Sequence, residues 1–132
     1  MGDPWLLACA VHSLALAAFH AGFWRIFGWP RTLASTTLAN RAIIQIANLR
    51  LIYFFLGVAA ACVAFPKELH GTLLGQSILA FTVLFWIGRT VEQWIFLRVR
   101  HAGVHALTGA FILGAVLFAV ALAQSLRLAG QL

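Results

Sequence analysis

Charge is scarce in this 132-residue chain. Lys, Arg, Asp and Glu make up 9% of it, against about 25% in a typical soluble domain. With 63% of the residues hydrophobic, that shortage excludes both an ordinary soluble fold and an intrinsically disordered chain. Acids are scarcest of all, being limited to Asp3, Glu68 and Glu92. Cysteine occurs only at Cys9 and Cys62, at similar depths near the outer ends of the first two apolar runs. A disulfide between them stays open, and two buried free thiols are the expectation. A basic amino-terminal stretch is also missing from Met1-Gly2-Asp3-Pro4. The first apolar run is therefore expected to stay as a membrane helix and not to be removed as a signal peptide.

Long apolar runs are abundant. A spanning helix needs roughly 20 mostly apolar residues. Four stretches reach that length, residues 5–27, 42–65, 72–97 and 104–124. Pro30 should stop the first helix and Pro66 the second, with Pro66-Lys67-Glu68 forming a tight outer turn. Residues 28–40 make the one long loop, in which Ser35-Thr36-Thr37 can cap helix 2, and residues 98–103 make the third connection. The sequence predicts an all-α integral membrane protein, a single four-transmembrane-helix bundle spanning residues 1–132.

The net charge of +6 would suggest a nucleic-acid partner in a soluble protein. Here the basic residues sit mainly at the ends of apolar runs, the pattern of a topology signal, and no nucleic-acid partner is expected. Arg25, Arg31 and Arg41 flank or lie in the first loop, and Arg98 and Arg100 lie in the third. Those loops are assigned to the cytoplasmic side and both termini to the outer side. Trp24, Trp29 and Trp94 fit an inner aromatic belt, and Trp5 an outer one.

Polar residues inside apolar spans are costly and usually face protein or a water-filled cavity. At about 100° per residue, Arg41, Gln45 and Asn48 share one stripe of helix 2, while Arg50 points to the opposite side. Lipid cannot cover both faces, so a neighbouring subunit is expected over one of them. On helix 3, Arg89, Glu92 and Gln93 stand at i, i+3 and i+4 on one face, where Glu92 can pair with Arg89. Arg41, Arg98 and Arg100 can snorkel to the interface. Arg50 and Arg89 lie about two turns from the nearest helix end, where snorkelling is strained. Structural ion pairing and binding of an anionic group compete for these two. Cations outnumber carboxylates in the cluster, since Glu92 is the only acid in reach, and that excess points to an anionic ligand.

The candidate ligand-binding set is thus Arg41, Gln45, Asn48, Arg50, Arg89, Glu92 and Gln93, with His20 and His105 as additional members. Arg50 and Arg89 would clamp the anion, Gln45 and Asn48 would orient it, and Glu92 would hold Arg89. His101 and His105 form an i, i+4 pair, and with His20 and Glu92 they are the groups a metal or haem would use. HxxxH alone is a weak signal and no second carboxylate completes a di-iron set, so no metal site is assigned.

The spacing Arg41, Gln45, Asn48 and the run Phe85-Trp86-Ile87-Gly88-Arg89 resemble the MAPEG family, the membrane-associated proteins in eicosanoid and glutathione metabolism. That family carries an Arg, an Asn four residues on, and a Glu or Asn three beyond at the start of helix 2. Gln45 stands where the family usually has Asn, Asn48 where it often has Glu, and Arg50 lies outside the pattern. The tyrosines usual around helices 3 and 4 are missing, Tyr53 being the single tyrosine. The resemblance implies a homotrimer with sites between subunits, glutathione held by arginines, and a thiolate activated for transfer.

Three functions compete. The first is a membrane protein with a cytoplasmic-side cationic site for an amphipathic anion or lipid, in the family's case a glutathione-dependent transferase. The second is a non-catalytic accessory subunit of a larger membrane complex. The third is a small transporter, although a pore needs a continuous polar stripe and the outer helix halves are apolar except for His12 and Gln76.

Overall fold

The computed structural model describes residues 3–130, so the outermost residues of both termini, whose sidedness the sequence assigns, lie outside the described residues. Every regular element among the described residues is helical. Four helices are long and apolar enough to cross a membrane: α1 (Pro4–Ala21), α3 (Leu38–Ala64), α5 (Leu73–Phe96) and α6 (Ala102–Ala129). Two short α-helices, α2 (Phe23–Ile26) and α4 (Pro66–Gly71), and a 3-10 turn at Arg31–Leu33 lie between them. Among the described residues, the all-α reading with four helices able to span a membrane is borne out. The exposed side chains of the long helices include Leu38, Ile46, Phe81 and Leu84, groups suited to lipid and poorly suited to water.

Local chemistry sets the helix ends. Pro4 opens α1 at a position where its missing N–H goes unneeded, and Asp3 Oδ1 accepts from the N–H groups of Trp5 at 2.8 Å and Leu6 at 3.1 Å. α1 stops at Ala21 and does not reach Phe27 as expected. The Gly22 N–H bonds both Ala18 O and Phe19 O, and its own carbonyl then accepts from Arg25 and Ile26, which starts α2 as a separate turn. Gly28 follows with φ +63°, a conformation that disfavours any side chain. α3 begins at Leu38, ahead of the expected residue 42. Within the Ser35-Thr36-Thr37 cap it is Thr37 that acts, its Oγ1 accepting from the Asn40 N–H at 3.2 Å.

The Pro66-Lys67-Glu68 segment is a helix, not the tight turn expected from its proline. Pro66 presets the first turn, Leu69 is buried, and Thr72 Oγ1 closes the end by donating to Glu68 O at 2.8 Å. α5 is capped by Thr72, which accepts from Gly75 N at 2.9 Å. α6 is capped by His101, whose Nδ1 accepts from Gly103 N at 3.1 Å. His101 is therefore a cap residue ahead of the helix and does not share a helical face with His105. α6 also runs past the expected end at Gln124 to Ala129.

The described residues form two compact units, residues 3–9 with 62–130, and residues 10–61. In the first, α4, α5 and α6 pack around Leu69, Leu79, Trp86, Phe111, Phe118 and Ala121, all buried. The rings of Trp86 and Phe111 stack at 5.8 Å, and Ser125 Oγ donates to the His70 carbonyl at 2.8 Å. In the second, α1 and α3 meet through His20 and Phe55, whose rings lie 5.2 Å apart, and through Asn48, whose Nδ2 donates to His20 O at 2.9 Å. Cys9 and Cys62 are both buried free thiols.

Candidate anion-binding site

The connection between α1 and α3 builds the most strongly cationic feature of residues 10–61. Aromatic rings set its shape. Phe23 lies 4.5 Å from His20, 4.7 Å from Phe27 and 5.9 Å from Trp29, and Trp24 meets Trp29 at 5.5 Å. Trp24 Nε1 donates to Gln45 Oε1 at 3.1 Å, which ties the connection to the first turns of α3. Gln45 Nε2 in turn donates to Arg41 O at 3.1 Å. Thr32 Oγ1 bonds Phe27 O at 2.7 Å and steadies the segment after Gly28.

These contacts leave a concavity of about 560 Å³ whose lining includes Arg25, Arg31 and Arg41 beside Trp24, Trp29 and Gly28. Arg41 is half-buried, and its Nε is shielded from solvent with no hydrogen-bond partner. Residues 10–61 contain Arg25, Arg31, Arg41 and Arg50 and not one Asp or Glu. The three guanidinium groups of the concavity thus have no carboxylate within their own unit to neutralise them. Guanidinium groups bind carboxylate or phosphate oxygens through paired N–H donors, and indole rings offer an apolar surface with a polar edge. The lining holds no carboxylate and no imidazole. Such a lining is chemically able to bind an anion and to stabilise negative charge.

The structure brings Arg41, Gln45, Asn48 and His20 to the inward face of the α1–α3 unit. Gln45 and Asn48 are engaged within the chain, and His20 Nδ1 donates to Leu16 O at 2.8 Å. Arg50 takes the opposite face as the helical wheel requires. It is exposed, with its guanidinium carbon 5.7 Å from the centre of the Tyr53 ring.

The other candidates belong to the α4–α6 unit. Arg89 lies over the ring of Phe111 at 4.6 Å. Among the described residues no ion pair joins Arg89 to Glu92, which is exposed. Gln93 is 1% exposed and, with His105, lines a second cavity of about 250 Å³ that also takes in Arg98 and Arg100. Among the described residues, no group of three or more His, Cys, Asp or Glu side chains is placed to hold a metal ion.

Sequence reasoning read Arg25 and Arg31 as topology signals and Trp24 and Trp29 as belt residues, and so missed them as site members. The signal was nevertheless present, as two indoles and three arginines between Trp24 and Arg41 in a segment without an acid. No protein-family model, curated protein or solved structure matches this chain.

Proposed function

We propose that this membrane protein binds an amphipathic anion in the concavity between α1 and α3, entered from the cytoplasmic leaflet. The observation that carries this reading is the convergence of Arg25, Arg31 and Arg41 on one cavity, in a unit that has no carboxylate. The anionic group would sit between the guanidinium groups, and the apolar part would rest on Trp24 and Trp29. Glutathione, a peptide with two carboxylates, is the specific ligand that the MAPEG resemblance implies for Arg41, Gln45 and Asn48.

The test uses the full chain carrying Arg98→Ala and Arg100→Ala, in an uncharged maltoside micelle. Dodecyl phosphate should raise the thermal midpoint by several degrees. Arg41→Ala, or Arg25→Ala with Arg31→Ala, should remove the rise, while Arg50→Ala should leave it. A rise that persists without Arg25, Arg31 and Arg41 rejects the site. S-hexylglutathione run in parallel separates a glutathione site from a general anion site.

Arg50 supports a second reading that concerns assembly. At about 1.5 Å per residue it lies about 18 Å along α3 from Leu38, exposed on a span otherwise suited to lipid. Charge at that depth is unfavourable in hydrocarbon, which favours a second copy of the chain or another subunit over this face. Native mass spectrometry of the detergent-purified protein decides between them. A homo-oligomer broken by Arg50→Leu supports self-association, and a stoichiometric larger partner supports an accessory role.

A further inference from the structure

The α5–α6 hairpin carries two concavities that share Trp94 in their lining. One is the cavity of about 250 Å³ at the loop end of the hairpin, lined in part by Gln93, Arg98, Arg100 and His105. The other is a groove of about 370 Å³ between the two helices, from Thr90 and Trp94 to Val83 and Ala119. Trp94 lines both.

The groove is apolar. Its one hydroxyl, on Thr90, is spent within its own helix, donating to Trp86 O at 2.8 Å. From Trp94 to Val83 it follows α5 for about 16 Å, at about 1.5 Å per residue. The cavity beyond Trp94 is of opposite character. Arg98 and Arg100 border it on an exposed strand of chain, and neither carboxylate of α4 or α5, Glu68 or Glu92, is part of its lining. Thr108 Oγ1 is turned away to Val104 O at 3.0 Å. At its floor lies Gln93, 1% exposed, with both Oε1 and Nε2 shielded from solvent and without a hydrogen-bond partner. A buried amide with two unmet bonds is costly, and native structures rarely leave one so unless something else meets it.

We propose that this hairpin holds a membrane phospholipid with an anionic, hydroxyl-bearing headgroup, one acyl chain in the α5–α6 groove and the phosphate beside Arg98, Arg100 and Gln93. The groove supplies an apolar trough in the direction of the bilayer, which suits an acyl chain. The two guanidinium groups match a phosphate. Gln93 has a donor and an acceptor to satisfy, and a turn of its side chain toward the cavity lets Nε2 give a hydrogen bond to a phosphate oxygen and Oε1 take one from a headgroup hydroxyl. An anion without a chain would leave the groove open, and an uncharged lipid would leave the arginines and Gln93 unmet. Trp94, 60% exposed, marks the level where chain gives way to headgroup.

The experiment is native mass spectrometry of the full chain carrying Arg25→Ala and Arg31→Ala, which removes the contribution of the α1–α3 concavity. Dimyristoyl phosphatidylglycerol is titrated against dimyristoyl phosphatidylcholine, which has the same chains but no net charge and no headgroup hydroxyl. Phosphatidylglycerol should bind at least tenfold more tightly. Arg98→Ala with Arg100→Ala should erase that preference, and Gln93→Leu should weaken it severalfold while keeping the side chain's volume. Ala119→Trp, which fills the groove, should weaken both lipids. Equal binding of the two lipids to the parent chain overturns the proposal. So does displacement of phosphatidylglycerol by inorganic phosphate with no effect of Ala119→Trp, which would make the ligand a free anion. A dimer of the parent chain that Ala119→Trp dissociates also overturns it, because a second copy would then occupy the groove.

Discussion

The imidazole Nε2 of His70 and the Oδ2 of Asp3 lie 3.0 Å apart, while the other oxygen of the same carboxylate caps α1. One side chain therefore does two jobs, starting the first spanning helix and tying it to α4. Ser125 holds α4 from the other direction through the His70 carbonyl. Asp3→Ala should remove both functions and lower stability by about 1–2 kcal/mol, the usual range for a lost helix cap. Asp3→Asn keeps an acceptor for Trp5 and Leu6 and should recover most of that loss. Thermal unfolding in detergent checks the order. If Asn is as damaging as Ala, the charge on Asp3 is what matters and capping is not.

Gly75 of α5 lies against the backbone of α4. A Cβ there would run into the Glu68 carbonyl oxygen and Leu69 Cα, both backbone atoms that cannot rotate away. Gly75→Ala should cost about 1–3 kcal/mol through overpacking. Gly88 and Gly109, in α5 and α6, would meet nothing within 4 Å. Gly88→Ala and Gly109→Ala should be neutral or slightly stabilising, since alanine is the better helix former. Equal thermal midpoints for all three variants would show that α4 is free to move off α5.

The four spans were legible because bilayer thickness demands a run of about 20 apolar residues, and that is a property of composition. The Arg41–Gln45–Asn48 stripe and the opposed Arg50 were legible because helical geometry alone fixes which residues share a face. The break at Gly22 was hidden, because the apolar pattern continues through Phe23 and Ile26 while the backbone turns. The α4 helix was hidden for the converse reason. Its six residues give too little periodicity, and what sustains it is burial of Leu69 and the bond from Ser125, far away in sequence. The site itself was half legible. Arg41 and Gln45 stood out as polar groups in an apolar helix, whereas Arg25 and Arg31 lie in a loop, where basic residues already have a topological explanation.

Arg89 should contribute to stability through Phe111. Its guanidinium lies 4.6 Å from the ring centre, within the range of a cation–π contact. A double-mutant cycle with Arg89→Met and Phe111→Leu should give a coupling of about 0.5–2 kcal/mol. Arg89→Met should leave dodecyl phosphate binding at the α1–α3 concavity unchanged. Loss of that binding would return Arg89 to the anion site, in the clamping role that its depth in the span and the excess of cations first suggested.

Asn48 should be the most sensitive of the polar residues on α3. The end of any helix leaves carbonyls without intrahelical donors, and in α1 the His20 carbonyl is met by Asn48 from the neighbouring helix. Asn48 is 4% exposed, so water cannot readily replace it. Asn48→Leu keeps the volume and removes the donor, taking a hydrogen bond from a buried carbonyl at a cost of about 1–3 kcal/mol. Asn48→Asp places an acceptor against an acceptor and should be worse. Gln45→Leu breaks the bond to Trp24 at a half-buried site and should cost less, while altering the Trp24 wall of the arginine cavity. The expected outcome is a split between the two neighbours, with Asn48 variants losing thermal stability and Gln45→Leu losing affinity for dodecyl phosphate with little change in midpoint. If both variants lose stability alike and bind alike, the α3 stripe only holds α1 in place and takes no part in shaping the site.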